Sequence, residues 1–229
     1  MASLYSPHSQ ALARAPNPIL AALRYYVGQA RTEYTMSNKK ITSSIQKLIE
    51  GYPHRTTKEG QFGGKLALKE LREFMASIPG TPCCVQISHA LNMAGHLIPR
   101  HYPGERRKNK KGTLVGNSPI KIGGREYYYL LAVDEMETYL AWEYGPGELV
   151  STDPQTGKRR SSTESRRYLA GRTGILVMRD STPGVHTELW DGNSFVQKDM
   201  AADHLLGLPR VLFWDCGAPR WLQDYMQTQ

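Results

Sequence analysis

Three cysteines and seven histidines are the residues of this 229-residue chain best suited to covalent chemistry. Cys83 and Cys84 are neighbours, and Cys216 stands alone late in the chain. Adjacent cysteines pair only with strain, and three thiols make neither a disulfide framework nor a four-cysteine zinc site. At least one thiol is therefore expected to be free, and a free thiolate is a nucleophile. The segment from Thr81 to Gly95 reads as a helix, with Thr81 at the N-cap, Pro82 in the first turn and Gly95 just past the end. A cysteine in the first turn of a helix feels the partial positive charge of unpaired amides, which favours the thiolate and can hold an oxyanion. The competing reading is two buried packing thiols. Val85, Ile87, Ala90, Leu91, Met93 and Ala94 make this helix apolar nearly all round, as in a buried one.

A thiol nucleophile needs a base. His89 lies on the cysteine helix itself, too far along to turn back to the thiol. His8 belongs to the N-terminal stretch, and His54, His96, His101 and His204 fall in expected loops. His186 falls on an expected strand late in the chain, with acids nearby at Glu188, Asp191 and Asp199. Cysteine early on a helix, then histidine on a later strand, then an acid or amide, is the papain-like order.

The elements that must position these groups follow from periodicity. Helical spacing predicts helices over 19–27, 41–50 and 65–77, then the cysteine helix, then another over 134–144. Strands are predicted at 125–132, 174–178, 185–190 and 210–214, with a turn at 191–193. The stretches 96–124 and 150–168 carry basic clusters, including Arg106–Lys111 and Lys158–Arg160, and read as long surface loops. Helices first and strands afterwards argue an α+β fold. Residues 1–36 read as an N-terminal extension and 37–229 as the catalytic domain.

Composition sets outer limits. Apolar residues make up 40% of the chain and charged residues 22%, enough apolar side chain to build a core and against a wholly disordered chain. No run approaches the ~20 apolar residues of a spanning helix. Met1–Ala15 lacks the basic start and apolar run of a secretory signal, so the expectation is a protein kept in the cytoplasm unless a dedicated machine exports it. The net charge of +8 admits a basic nucleic-acid-binding module as an alternative function, although no such motif is present.

Three separated blocks resemble the fourth family of type VI secretion amidase effectors. These are small papain-like enzymes that cut the peptide stems of the bacterial cell wall. The first block is Cys83, Ser88, Leu91 and Asn92, followed by Gly95 and Ile98-Pro99. In the family pattern the nucleophile stands five residues before that serine, which selects Cys83 over Cys84. The second is Tyr127-Tyr-Tyr followed by Val133, Met136, Tyr139 and Leu140. The third runs from Gly171 to Val177 and resumes at His186-Thr-Glu-Leu-Trp-Asp-Gly192.

The resemblance implies a papain-like cysteine peptidase fold and a Cys-His-Asp hydrolase of the D-glutamyl–diaminopimelate bond. Cys83 would be the nucleophile and His186 the base, with no cofactor or metal. Ser88 and Trp190, inside the matching blocks, are expected to contact substrate. The family's third catalytic residue is an aspartate shortly after the Trp-Asn-Gly turn, often between two disulfide-bonded cysteines that this chain lacks. Asp199 fits that place best, Asp203 less well, and Asp191 reads as structural. Val185 stands where the family often has glycine before the histidine. The resemblance also implies delivery by type VI secretion components from the producer's cytoplasm into a target cell's periplasm. It further implies peptidoglycan as substrate and a cognate immunity protein as inhibitor. A papain-like amidase acting on another amide is the other alternative.

Overall fold

The computed structural model describes residues 41–54, 69–77, 81–105, 117–180, 184–197 and 203–217. The extension of residues 1–36, its expected helix at 19–27 and the basic cluster Arg106–Lys111 lie outside them. The remaining expectations are met in outline. Helix α1 spans Ile45–Glu50, α2 Lys69–Ser77, α3 Pro82–Met93 and α4 Val133–Tyr144. α1 begins later than the periodicity predicts, because Ser44 adopts extended backbone and its hydroxyl caps the helix at the Lys47 amide. Ser43, just before it, is held elsewhere, donating its hydroxyl to the Ala94 carbonyl at 3.0 Å.

Two of the expected loops contain regular structure. Asn117–Ile122 is strand β1, paired antiparallel with β2, Arg125–Leu130, across a two-residue turn at Gly123 and Gly124. Both glycines have positive φ, as a tight hairpin turn of this length requires. The basic stretch 150–168 contains helix α5, Ser162–Leu169, opened by a Ser161/Glu164 capping box. Its arginines are engaged rather than loose. Arg160 lies 4.1 Å above the Tyr168 ring and reaches Asp153 at 3.3 Å, and Arg166 pairs with Asp203 at 2.5 Å.

The main sheet has the order β3-β6-β4-β5, antiparallel throughout, from Glu148–Leu149, Arg210–Asp215, Gly174–Arg179 and Gly184–Trp190. A short 3-10 helix, Asp203–Gly207, precedes β6. Strand β4 reads Gly-Ile-Leu-Val-Met-Arg without alternation because both faces of the sheet are covered. Ile175, Val177, Leu189, Leu212 and Trp214 pack with α3 and α4 on one face. Leu176, Met178, Trp190, Val211 and Phe213 pack with Leu169 of α5 and with Leu205 and Leu206 on the other. A third cluster joins α2, α3 and the β1-β2 hairpin through Leu71, Phe74, Val85, Ile120, Tyr129 and Leu131. The fold is α+β, with the cysteine helix buried beside the antiparallel sheet. No helix among the described residues is long and apolar enough to cross a membrane.

Candidate active site

The site is built on α3. Ten consecutive residues of this helix, Cys83 to Asn92, are buried. The Thr81 hydroxyl does not cap the helix. It lies 3.0 Å from the Leu131 carbonyl and 3.0 Å from Cys84 Sγ, and the Thr81 amide also donates to Leu131 at 2.9 Å. One turn apart on the same side, Ser88 and Asn92 hold the helix against β2. Ser88 Oγ donates to the Cys84 carbonyl at 2.7 Å and accepts from the Leu130 amide at 3.0 Å. Asn92 donates to the Tyr128 carbonyl at 2.9 Å and accepts from the Ile98 amide at 3.0 Å. Gln86 ties the helix to the segment after β5, donating to Gln197 Oε1 at 3.0 Å and to the Pro53 carbonyl at 2.8 Å. These contacts fix the rotation of α3 about its axis and so the direction each thiol points.

The rotation brings Cys83 to His186. His186 comes from β5, two residues after Gly184, whose amide donates to Asp134 at the start of α4. The Cys83 thiol lies beside the imidazole and the Thr187 backbone, close enough for both to act on its charge. The Cys84 hydrogen bond, working against burial, combines with the hydrogen bond and charge of His186 to hold the Cys83 thiol well below its usual pKa. Cys84 moves the other way. Full burial raises its thiol, and the neighbouring Cys83 sulfur raises it further. Burial alone would lower the His186 pKa, but Cys83 and Glu188 outweigh it and raise it to about 9. Both shifts favour a thiolate beside an imidazolium.

Glu188, two residues along the strand, faces the same imidazole. Its Oε2 lies 3.5 Å from His186 Nε2, with both side chains buried. The sequence offered Glu188 only as one of several nearby acids. The His-x-Glu spacing on a strand was the signal, since residues two apart share a face.

The other expected site residues fall into place differently. Asp199 lies outside the described residues. Asp203 is exposed and pairs with Arg166, which also donates to the Asn193 carbonyl, so it fastens α5 to the turn rather than reaching His186. Asp191 shapes that turn, accepting from the amides of Asn193 and Ser194 at 2.9 and 2.7 Å, as expected of a structural residue. Ser88 and Trp190 are corrections. Both are fully buried. The Ser88 hydroxyl spends its capacity on backbone partners, and Trp190 donates its indole N–H to Leu169 at 3.0 Å with Phe195 against its ring. Neither presents a polar atom to a substrate. Cys216 is a buried packing thiol whose amide donates to Thr173 at 2.7 Å. Among the described residues no group of three His, Cys, Asp or Glu is placed to hold a metal.

Comparison with known proteins places this geometry. No curated relative matches the chain in sequence. Among solved structures, a chain of the Tae4/Tai4 effector–immunity system from Salmonella typhimurium is 18% identical. That match covers 76% of this chain and 99% of that one, at a TM-score of 0.49. The type VI effector Tae4 from Enterobacter cloacae is likewise 18% identical, covering 80% of this chain and 100% of that one, at a TM-score of 0.45. Residues 81–214, more than half of the chain, match the family described as type VI secretion system amidase effector protein 4, Tae4. That span holds Cys83, His186 and Glu188 together with the helix and strands that carry them, and the chain belongs to the Tae4 family of type VI secretion amidase effectors.

Proposed function

We propose that this effector hydrolyses the stem peptides of diaminopimelate-type peptidoglycan at the D-glutamyl–diaminopimelate bond, by cysteine nucleophilic catalysis. The observation that carries the reading is the Cys83 thiol at the N-terminus of a buried helix, beside His186 of β5. The thiolate attacks the amide carbonyl carbon. The Cys83 amide, among the first of the helix and without an intrahelical acceptor, supports the developing oxyanion. His186 takes the thiol proton and gives a proton to the leaving amine. Water then attacks the acyl-enzyme and returns free Cys83. Asp199 stands as the family's third residue by resemblance. A cognate immunity protein covers the cleft, and a type VI machine carries the enzyme from the producer's cytoplasm to the target's periplasm.

The test is digestion of purified sacculi, with products identified by mass spectrometry. Cys83→Ala should abolish stem cleavage, while Cys84→Ala, at the packing thiol, should keep most of it. A dead Cys84→Ala beside an active Cys83→Ala would place the nucleophile one residue later. Activity on protein substrates but none on sacculi would point to a different amide. Asp199→Asn and Asp203→Asn, compared side by side, test the third residue, with the larger loss expected at Asp199.

A further inference from the structure

Glu188 is a costly residue where it stands. Its side chain keeps 1% of its surface exposed, and its strand partner across β4 is the apolar Leu176. A buried carboxylate is expensive unless paired and hydrogen bonded. Oε1 accepts from the Leu189 amide at 2.8 Å. Oε2 has no hydrogen bond, and neither does His186 Nε2, which it faces at 3.5 Å. Among the described residues the only ion-pair partner of Glu188 is that imidazole. A carboxylate that served packing alone would be expected to meet an arginine or several amides. This one instead meets the proposed catalytic base across a gap slightly longer than a hydrogen bond. Such gaps in ligand-free sites tighten once the imidazole is charged and substrate is bound.

We propose that Glu188 is a positioning residue that orients the His186 ring and stabilises its protonated form, so that Cys83 is kept as a thiolate. The proposal rests on the reading of Cys83 and His186 as nucleophile and base. In forming the thiolate one proton moves, from Cys83 Sγ to His186, and none passes to Glu188. Two titratable groups among the described residues face His186, Cys83 from α3 and Glu188 from β5. Asp134, at the start of α4, accepts from the Gly184 amide two residues before His186 and is paired with Arg179 of β4 at 2.9 Å, and Met178, opposite His186 on β4, is uncharged.

The experiment uses the full-length chain and two readouts. One is the pH dependence of Cys83 alkylation by iodoacetamide, which needs no substrate. The other is the pH profile of kcat/KM on purified stem peptides. An opposite charge at this range shifts a pKa by about one to three units, so Glu188→Gln should narrow the active pH window from its alkaline side. The alkaline limb, set by His186, should move down by about one unit or more, while the acid limb, where the imidazolium beside Cys83 is still charged, should not move up. The loss in kcat/KM should be greatest toward the alkaline limb and be carried by kcat with KM little changed. Glu188→Asp should restore part of the shift. If a folded Glu188→Gln leaves the alkaline limb where it was, Glu188 only packs and the proposal is overturned. If Glu188→Gln fails to fold, an unmoved alkaline limb in Glu188→Asp overturns it equally. If Asp199→Asn moves that limb and Glu188→Gln does not, the role belongs to Asp199. Retained cleavage in Cys83→Ala would instead overturn the nucleophile reading, so the two failures are distinguishable.

Discussion

Ser88→Ala separates a substrate contact from a structural staple more cleanly than any other single change. The wild-type hydroxyl lies with no exposed surface between two backbone groups, the Cys84 carbonyl at 2.7 Å and the Leu130 amide at 3.0 Å. The Cys84 carbonyl loses little on truncation, since it keeps its place in the helical ladder and the back-bond from a mid-helix serine is itself slightly unfavourable. The Leu130 amide loses its acceptor inside the protein, which costs about 1–3 kcal/mol. For a chain of this length each kcal/mol lowers Tm by about 2–4 °C, so the melting temperature should fall by roughly 2–12 °C. Urea denaturation should show a lower midpoint with an unchanged slope. Well below the new Tm, KM for stem peptides should stay within about twofold of wild type, because the hydroxyl never meets substrate. A several-fold rise in KM with unaltered stability would refute this reasoning and restore Ser88 to the substrate site.

Two further perturbations probe how the dyad is held. A Cβ at Gly184 would lie 2.5 Å from Val133 Cβ, so Gly184→Ala must push the start of β5 away from α4 and carry His186 with it. Because ångström-scale misplacement can cost on the order of 100-fold, kcat/KM should fall by at least tenfold; wild-type kinetics in a folded variant would show that the strand yields without moving the ring. The charge state of the dyad predicts an unusual pH response. With the Cys83 pKa held down and that of His186 raised to about 9, alkylation of Cys83 should stay fast to a lower pH than that of an ordinary thiol. Hydrolysis should decline as pH rises through about 9, where His186 loses the proton it gives to the leaving amine. An alkylation rate that drops about tenfold per pH unit below 8 would mean an ordinary thiol.

The residues that carry the family resemblance include ones that hold the cysteine helix in place, Ser88 and Asn92. Ser88 and Asn92 stand out as polar residues in an otherwise apolar helix. Sequence alone cannot tell whether such a hydroxyl or amide turns to a cleft or to the backbone of another strand. β1 was hidden by Pro119 and Lys121, which suit an edge strand but not a central one, and it buries only Ile120. α5 was hidden by charge. Its capping box was present in Ser161 and Glu164, but Arg166 and Arg167 read as part of a solvated run until Arg166 paired with Asp203 and Arg160 and Arg172 stacked on Tyr168.

Local signals in the sequence were enough for the parts of the site. Pro82 and Gly95 bracket the cysteine helix, the unbroken apolar run of β4 announces a strand covered on both faces, and the Leu-Trp-Asp-Gly turn closes the histidine strand. Each depends on neighbours within a few residues. Only the tertiary structure decided which thiol meets the imidazole and which carboxylate stands beside it. Adjacent residues on a helix point about 100° apart, so the choice between Cys83 and Cys84 is a choice of helix rotation. That rotation is set by hydrogen bonds from Ser88 and Asn92 to a hairpin some forty residues away in sequence. The pairing of His186 with Glu188 likewise depends on burial, because the same two side chains on a solvated strand would be screened by water and exert little hold on each other.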